Sequence, residues 1–248
     1  MQISPPFGYK EVVPLYKNQK VRLLGRGGAP AFVHGLNAIP ISFTEFPFVA
    51  REYPIVFTSG DKGNSYAPVA VLGMTTGENL YVDDGRWAER IYIPAYARRF
   101  PFCMAKVTLN KVEQQDRLIC VEKEYVTEDG ESMFDDKGEP VEKWKEMERL
   151  LSEFEADLDR SREMCGILSD YGLLEAFTMQ ATFNQGGAMH LTGMHRVDEK
   201  KLEHLNASQI KNLMRKGVMG RIYAHLLSLD NFTRLLDRKA GRAEEKAA

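Results

Sequence analysis

The sequence feature that most constrains the fold is a long periodic segment at residues 141–170. Its large apolar side chains recur at spacings of three, four, three and four residues, and the positions between them are dense in Glu, Lys, Asp and Arg. This period is typical of one buried face of an α-helix. The members of the stripe are Trp144, Met147, Leu151, Phe154 and Leu158. The pattern predicts a helix that packs either on a sheet of the same chain or on a partner protein.

The first half of the chain, residues 1–127, predicts a strand-rich region. Short runs of β-branched and aromatic residues alternate there with turns rich in Gly, Asn, Asp and Ser. The predicted strands are 54–57, 67–73, 80–82, 102–109 and 117–126. The first three of them, with turns at 59–65 and 75–79, predict a β-meander. A short helix is also predicted at 44–53, with Ser42 or Thr44 as its N-cap.

The second half predicts one hairpin and several helices. Gly172 ends the long helix, and strands at 173–183 and 189–197 flank a glycine-containing turn. Further helices are predicted to begin at Asp198, Ser208, Gly217 and Asp230. The fold class is therefore α+β, in one predicted domain over 1–248. Its parts are a strand-rich region at 1–127, a loop at 128–140, a helix, hairpin and helical part at 141–237, and a frayed tail at 238–248.

Charge and composition narrow the class of protein. The formal net charge is −2, which gives no general attraction for nucleic acid or for acidic membranes. Three widely spaced cysteines form no CxxC pair, which favours a reducing compartment over a disulfide framework. The N-terminal residues lack the apolar core of a signal peptide, and no window is apolar enough for a membrane span. These features predict a soluble, cytoplasmic protein.

Familiar catalytic and metal-binding motifs are not found in the sequence. There is no GxSxG elbow, no HExxH pair and no cluster of Cys and His. His190 and His195 are five residues apart in a predicted strand, so their side chains point to opposite faces. We therefore predict neither a cofactor nor a metal site, and assign no catalytic residue.

A crowded polar turn follows the third predicted strand. Asp83, Asp84, Gly85, Arg86 and Trp87 are consecutive. Two carboxylates could bind a cation, and Arg86 could grip a carboxylate or a phosphate. Alternatively, the segment is a tight turn in which an aspartate caps the next element and Trp87 packs in the core.

Arginines and aromatic residues are concentrated in the next segment. Arg98 and Arg99 stand close to Tyr92, Tyr96 and further rings. Such a combination can recognise an anionic or planar small molecule. It is equally typical of a core segment whose arginines pair with carboxylates. The candidate ligand-binding residues are Asp83, Asp84, Arg86, Trp87, Tyr92, Tyr96, Arg98 and Arg99.

Several segments in the same order along the chain resemble the SapC family, which is named for bacterial proteins associated with surface layers. They include Gly85-Arg-Trp87 and Tyr92-Ile-Pro-Ala-Tyr-Ala-Arg-Arg-Phe-Pro-Phe102. The other matching segments are 52–57, 68–73, 77–83, 172–174, 193–202 and 220–229.

The resemblance implies an accessory or binding protein with a protein or peptide partner, in the export or biogenesis of surface-layer proteins or peptides. It carries over no catalytic residue. It also implies an alternative, because members are associated with flavin-dependent halogenase-like proteins. In that alternative the chain is an enzyme, or a substrate-handling subunit, that modifies a small molecule or peptide.

Overall fold

The computed structural model of the chain describes residues 2–60, 65–109, 112–114, 117–182 and 188–247. The fold is mixed α+β, as the sequence predicts. Its strands are β1 (Gln2–Ser4), β2 (Val12–Pro14), β3 (Lys20–Val21), β4 (Ala38–Pro40), β5 (Ile55–Gly60), β6 (Ser65–Val71), β7 (Val82–Asp83), β8 (Arg86–Trp87), β9 (Phe102–Leu109), β10 (Val112–Glu113), β11 (Leu118–Glu122), β12 (Glu131–Ser132), β13 (Leu174–Thr182) and β14 (Ala188–Val197). Its α-helices are α1 (Phe46–Val49), α2 (Ala95–Arg98), α3 (Glu142–Asp170), α4 (Glu199–Leu202), α5 (Ala207–Arg215), α6 (Val218–Ser228) and α7 (Asn231–Ala247).

The chain divides into two compact units, and each is discontinuous in sequence. Unit 1 comprises Met1–His34, Val82–Glu89 and Ala95–Ala156. Unit 2 comprises Gly35–Tyr81, Arg90–Pro94 and Asp157–Ala248. The long helix α3 therefore begins in unit 1 and ends in unit 2. The loop predicted at 128–140 lies inside unit 1, where β12 pairs with β3.

Unit 1 is built on an antiparallel sheet with the order β1-β9-β11-β2, and β10 pairs with β9. Alternation along these strands gives the sheet two apolar faces. Phe102 and Val121 face a cluster with Trp144 and Leu151 of α3. Their neighbours Cys103 and Cys120 face a second cluster built around Tyr9 and Phe100. The apolar stripe of α3 thus packs on a sheet of its own chain along its first half.

Unit 2 is built on an antiparallel sheet with the order β13-β14-β5-β6-β4. The predicted hairpin of β13 and β14 is confirmed, while its turn lies outside the described residues. The β5–β6 pair is confirmed too, and part of the turn predicted at 59–65 lies outside the described residues. The third strand of the predicted meander is wrong, because β4 occupies the free edge of β6 and residues 82–83 pair instead with β8.

The ladder between β14 and β5 is interrupted by a side chain. These strands pair at Met194 with Thr58 and at His195 with Phe57, and the same register would pair Val197 with Ile55. There the amide of Val197 donates to Nε2 of His225 at 3.0 Å. Because Nε2 accepts, Nδ1 carries the proton and donates to the carbonyl oxygen of Ile55 at 2.8 Å. The buried imidazole of His225 therefore stands in place of one direct hydrogen bond between β14 and β5, and we call this arrangement the imidazole bridge.

Helix α3 matches the prediction in its bounds but not in every buried position. Leu158, predicted to be in the stripe, is half-buried, while Asp157 and Ser161 are buried. The hydroxyl of Ser161 donates to the carbonyl oxygen of Asp157 at 2.8 Å. The hydroxyl of Thr44 donates to the carboxylate of Asp157. Polar groups satisfied in this way can replace apolar ones in a buried stripe.

The C-terminal helices differ from the prediction at two points. Helix α5 is capped by Asn206, not Ser208, in a reciprocal capping box with Gln209. The tail predicted to fray from residue 238 is helical through Ala247. Its first turns are held within unit 2, where Lys239 pairs with Glu78 at 2.8 Å. Within the described ranges, no helix combines the length and apolar character that a bilayer span requires.

Candidate functional site

The eight candidate residues from the sequence do not all fall in one unit. Tyr92 lies in unit 2. The other seven lie in unit 1, on the β7–β8 hairpin and on or beside α2: Asp83, Asp84, Arg86, Trp87, Tyr96, Arg98 and Arg99.

The β7–β8 hairpin combines a tight turn with exposed charges. Asp83 pairs with Arg86 in the strand register, and Asp84 and Gly85 both have positive φ, of 42° and 72°. Two successive positive φ values are typical of the two-residue turn that suits a hairpin. Trp87 is buried, whereas the side chains of Asp83, Asp84 and Arg86 are exposed. The hairpin thus accounts for the positive φ of Gly85 and for the burial of Trp87, and its three charged side chains are accessible to solvent.

Arg99 is enclosed by rings and by a carboxylate. Its side chain is 3% exposed, and its Nη1 lies 3.5 Å from the carboxylate of Glu155. The guanidinium stands 4.2 Å from the ring centroid of Tyr96 and 4.8 Å from that of Phe154. Glu155 also pairs with Arg117 at 2.7 Å. With so little of its side chain exposed, the Arg99 guanidinium contributes to packing within unit 1.

The tyrosines of the candidate set are engaged as hydrogen-bond donors. The Tyr96 hydroxyl donates to the carbonyl oxygen of Phe7 at 2.6 Å. The Tyr92 hydroxyl donates at 3.1 Å to Glu45, a buried carboxylate. Burial raises the pKa of Tyr96 above its usual value, so this phenol stays protonated. The exposed members Asp83, Asp84, Arg86 and Arg98 remain predicted ligand contacts, and the tyrosines have structural partners.

A polar pocket in unit 2 was missed by the sequence reasoning. It has a volume of about 250 Å³ and is lined by Phe43, Arg160, Glu163, Met164, Arg215, Lys216 and Val218. Phe43 is buried, and two guanidinium groups stack on its ring, Arg221 at 4.1 Å and Arg160 at 5.5 Å from the centroid. The lining comes from three segments that are far apart in sequence, so no local motif could reveal it. We call it the Phe43 pocket.

A groove with both apolar and charged lining residues lies in unit 2 between α4, α5 and α6. Its volume is about 340 Å³, and its lining includes Leu202, Ile210, Met219 and Tyr223. Three charged residues of α4 and its C-cap complete the lining: Glu199, Lys200 and Glu203. Beside the groove, Met214 and Leu227 are 63% and 72% exposed. We call the groove with these flanking side chains the α4–α6 groove.

Burial keeps the cysteine thiols and the imidazole of His225 in their neutral forms. Burial raises the pKa of the Cys165 thiol to about 12, and that of Cys120 to about 11, so both stay protonated at neutral pH. Burial lowers the pKa of His225 to about 4, which keeps its imidazole neutral in the bridge. Across the described parts of the chain, no group of three or more His, Cys, Asp or Glu side chains is placed to hold a metal ion.

Comparison with known proteins tests the resemblance to the SapC family that several segments of the sequence indicate. The SapC family model matches residues 18–235 of the 248 in the chain. The chain belongs to the SapC family. The match covers all eight candidate residues, the Phe43 pocket and the α4–α6 groove, so each is a feature of the SapC region. Comparisons with the curated proteins and with the solved structures gave no match.

Proposed function

We propose that this SapC-family chain is a non-catalytic binding protein that docks an amphipathic helical segment of a partner protein in the α4–α6 groove. The observation that carries this proposal is the accessible apolar face of α5 and α6. Ile210 and Met214 are four residues apart on α5, and Tyr223 and Leu227 are four apart on α6. Residues at this spacing lie on one face of a helix. All four side chains are exposed.

The groove has the composition of a helix-binding surface. Methionine and tyrosine are adaptable contact residues, and anchors spaced by one helical turn suit an apolar stripe on a partner helix. Glu199 and Glu203 outnumber Lys200 in the lining, which leaves one excess negative charge. A partner segment with apolar anchors and a basic flank is the best match for this surface.

Site-directed photo-crosslinking in the native host tests the proposal. A photoreactive residue replaces Tyr223 or Leu227, and the matched control replaces Phe7, an exposed aromatic residue of unit 1. We expect the same partner to be captured from positions 223 and 227 but not from position 7. With the purified partner, Tyr223→Glu should weaken binding by about tenfold or more, as expected for loss of an aromatic contact in the groove lining. Equal capture at all three positions, or capture only of a second copy of this chain, would refute the proposal.

The biological setting is part of the same proposal. The SapC resemblance supports a place in surface-layer protein or peptide export, with the docked segment belonging to an exported protein or to its export machinery. Identification of the captured partner tests this part separately. The enzyme alternative is supported by the exposed Asp83, Asp84 and Arg86, which a small molecule can reach.

A further inference from the structure

We infer that the Phe43 pocket is an anion site that binds the phosphate group of a small phosphorylated molecule. It shares no lining residue with the α4–α6 groove. The inference is therefore independent of the proposed docking function.

The pocket gathers more positive than negative charge. Arg160, Arg215 and Lys216 line it, and Arg221 stacks on the Phe43 ring. The carboxylates beside these cations are Asp157, which lies 3.3 Å from Arg160, and Glu163, which lies 2.6 Å from Lys216. Three lining cations against these two carboxylates leave an excess of one positive charge. Arg221 does not line the pocket, but its place on the Phe43 ring raises the local excess to two. A phosphate monoester dianion matches that excess.

Two of the arginines lack an acidic partner. In the part of the chain that the structure describes, neither Arg215 nor Arg221 lies within ion-pair distance of a carboxylate. Arg221 is instead fixed by the backbone, since its Nε donates to the carbonyl oxygen of Phe43 at 3.2 Å and its Nη1 to that of Gly217 at 3.4 Å. A guanidinium held in one orientation is well suited to pair with an oxyanion, because little side-chain entropy remains to be lost.

The electrostatics of Arg221 show that its charge is incompletely compensated. Desolvation lowers its pKa most, the positive charge of Arg160 lowers it further, and the negative charge of Asp157 offsets only part of this fall. Both guanidinium groups stack on the same Phe43 ring, so the ring holds two like charges near one another. An anion bound beside them would relieve this repulsion.

The backbone adds donors to the same pocket. Helix α6 has eleven residues and starts at Val218, which lines the pocket. Its N-cap is Gly217, at φ 70°, and makes no side-chain capping bond. The N-cap therefore supplies no side-chain acceptor for the first amide groups of the helix, and the helix dipole favours negative charge at this end. Arginine side chains and amide donors together form the usual complement of a phosphate group.

The pocket size favours a small molecule over a polymer. A volume of about 250 Å³ holds a phosphate group with part of its organic body. The chain as a whole has a formal charge of −2, which disfavours the extended phosphate backbone of a nucleic acid.

Isothermal titration calorimetry on the full chain tests the inference, with inorganic phosphate and phenyl phosphate as probes at constant ionic strength. We expect saturable binding with one site per chain. Arg215→Gln and Arg160→Gln should each weaken binding about tenfold, the loss expected for one charge-assisted hydrogen bond. Glu163→Gln should tighten binding about threefold, since it frees Lys216 from its carboxylate partner.

Arg162→Gln is the matched control, because it makes the same charge change two residues along α3 at a side chain that does not line the pocket. It should change the affinity less than about twofold. Thermal unfolding checks that each variant is folded. No saturable binding up to about 20 mM of either probe, or equal weakening by Arg162→Gln and Arg215→Gln, would overturn the inference.

Discussion

Arginine stacks on aromatic rings in both units, but the two clusters differ in access and in charge balance. In unit 1 the guanidinium of Arg99 is almost fully buried among rings, and Glu155 closes the cluster as its carboxylate partner. In unit 2 the guanidinium groups of Arg160 and Arg221 flank a pocket, and positive charge remains in excess. Stacking on a ring is common to both. The surrounding carboxylates and the open volume decide whether such a cluster stabilises the fold or can receive a ligand.

The largest expected effect separates the two clusters by stability. Arg99→Ala leaves Glu155 with Arg117 as its partner but removes a buried pair and a ring contact on two sides. We expect the free energy of unfolding to fall by about 4 kcal/mol, chiefly because truncation leaves a cavity between the two rings. Denaturant titration measures it, and Arg160→Gln, a side chain 60% exposed, should cost under about 1 kcal/mol. Equal losses of unfolding free energy in the two variants would contradict the distinction between a closed cluster in unit 1 and an open one in unit 2.

The pH dependence of unit 2 gives the next largest effect. His225 has its pKa lowered from 6.5 to about 4, so its neutral form is favoured in the folded state. Its contribution is fully present above pH 6.5 and is lost as the pH falls from 6.5 towards 4, because the unfolded chain then binds the proton more readily. We expect a loss of about 3 kcal/mol over this interval, measured by denaturant titrations at several pH values.

The control for this prediction is His225→Gln, whose side-chain amide keeps one donor and one acceptor but does not titrate. Its stability should lack the histidine-linked fall between pH 6.5 and pH 4. If the variant loses stability in acid as steeply as the native chain, the imidazole bridge does not cause the acid sensitivity.

A substitution of the Phe43 ring tests the role of stacking in the open cluster of unit 2. Phe43→Leu keeps an apolar side chain but removes the surface on which Arg160 and Arg221 stack. We expect a stability loss of about 1 to 2 kcal/mol and weaker phosphate binding, because the guanidinium groups lose their common support. Phe48→Leu is the control, since that ring is exposed and has Arg51 at 5.9 Å. Unchanged phosphate affinity in Phe43→Leu would show that the ring does not position the arginines.

The smallest effect on stability is expected at the exposed candidates of unit 1. The double variant Arg86→Gln and Arg98→Gln changes two exposed side chains and should alter the free energy of unfolding by less than about 0.5 kcal/mol per site. The same variant tests the predicted ligand contacts with benzoate as an anionic aromatic probe. Binding by the native chain that the double variant loses would support that hypothesis. A large loss of stability would assign both arginines to the fold instead.

Local sequence patterns predicted the longer strands and helices well. They could not predict contacts between segments that are distant in sequence. Strand β9 occupies the predicted residues 102–109, and α3 begins one residue after its predicted start. These elements follow from periodicity within a short window. The partner of Arg99 could not be found in this way, because Glu155 lies 56 residues further along the chain.

The Phe43 pocket escaped for the same physical reason. The periodic pattern of α3 predicts a solvent-exposed position for Arg160, and its side chain is 60% exposed. The same pattern carries no information about the pocket beside it. Phe43 and Arg221 are 178 residues apart, and no spacing rule connects them. The burial of Asp157 and Ser161 was not predicted either. A periodic apolar pattern cannot identify buried polar groups that are hydrogen-bonded to each other.

The imidazole bridge also has a consequence for folding. Ile55 and His225 are 170 residues apart, and the ring occupies the position where β5 and β14 would otherwise continue their pairing. In the native sheet, the link between these strands beyond Phe57 therefore depends on a contact with α6 that spans 170 residues of the chain. Contacts between residues so far apart in sequence slow folding, because a long loop must close before they form.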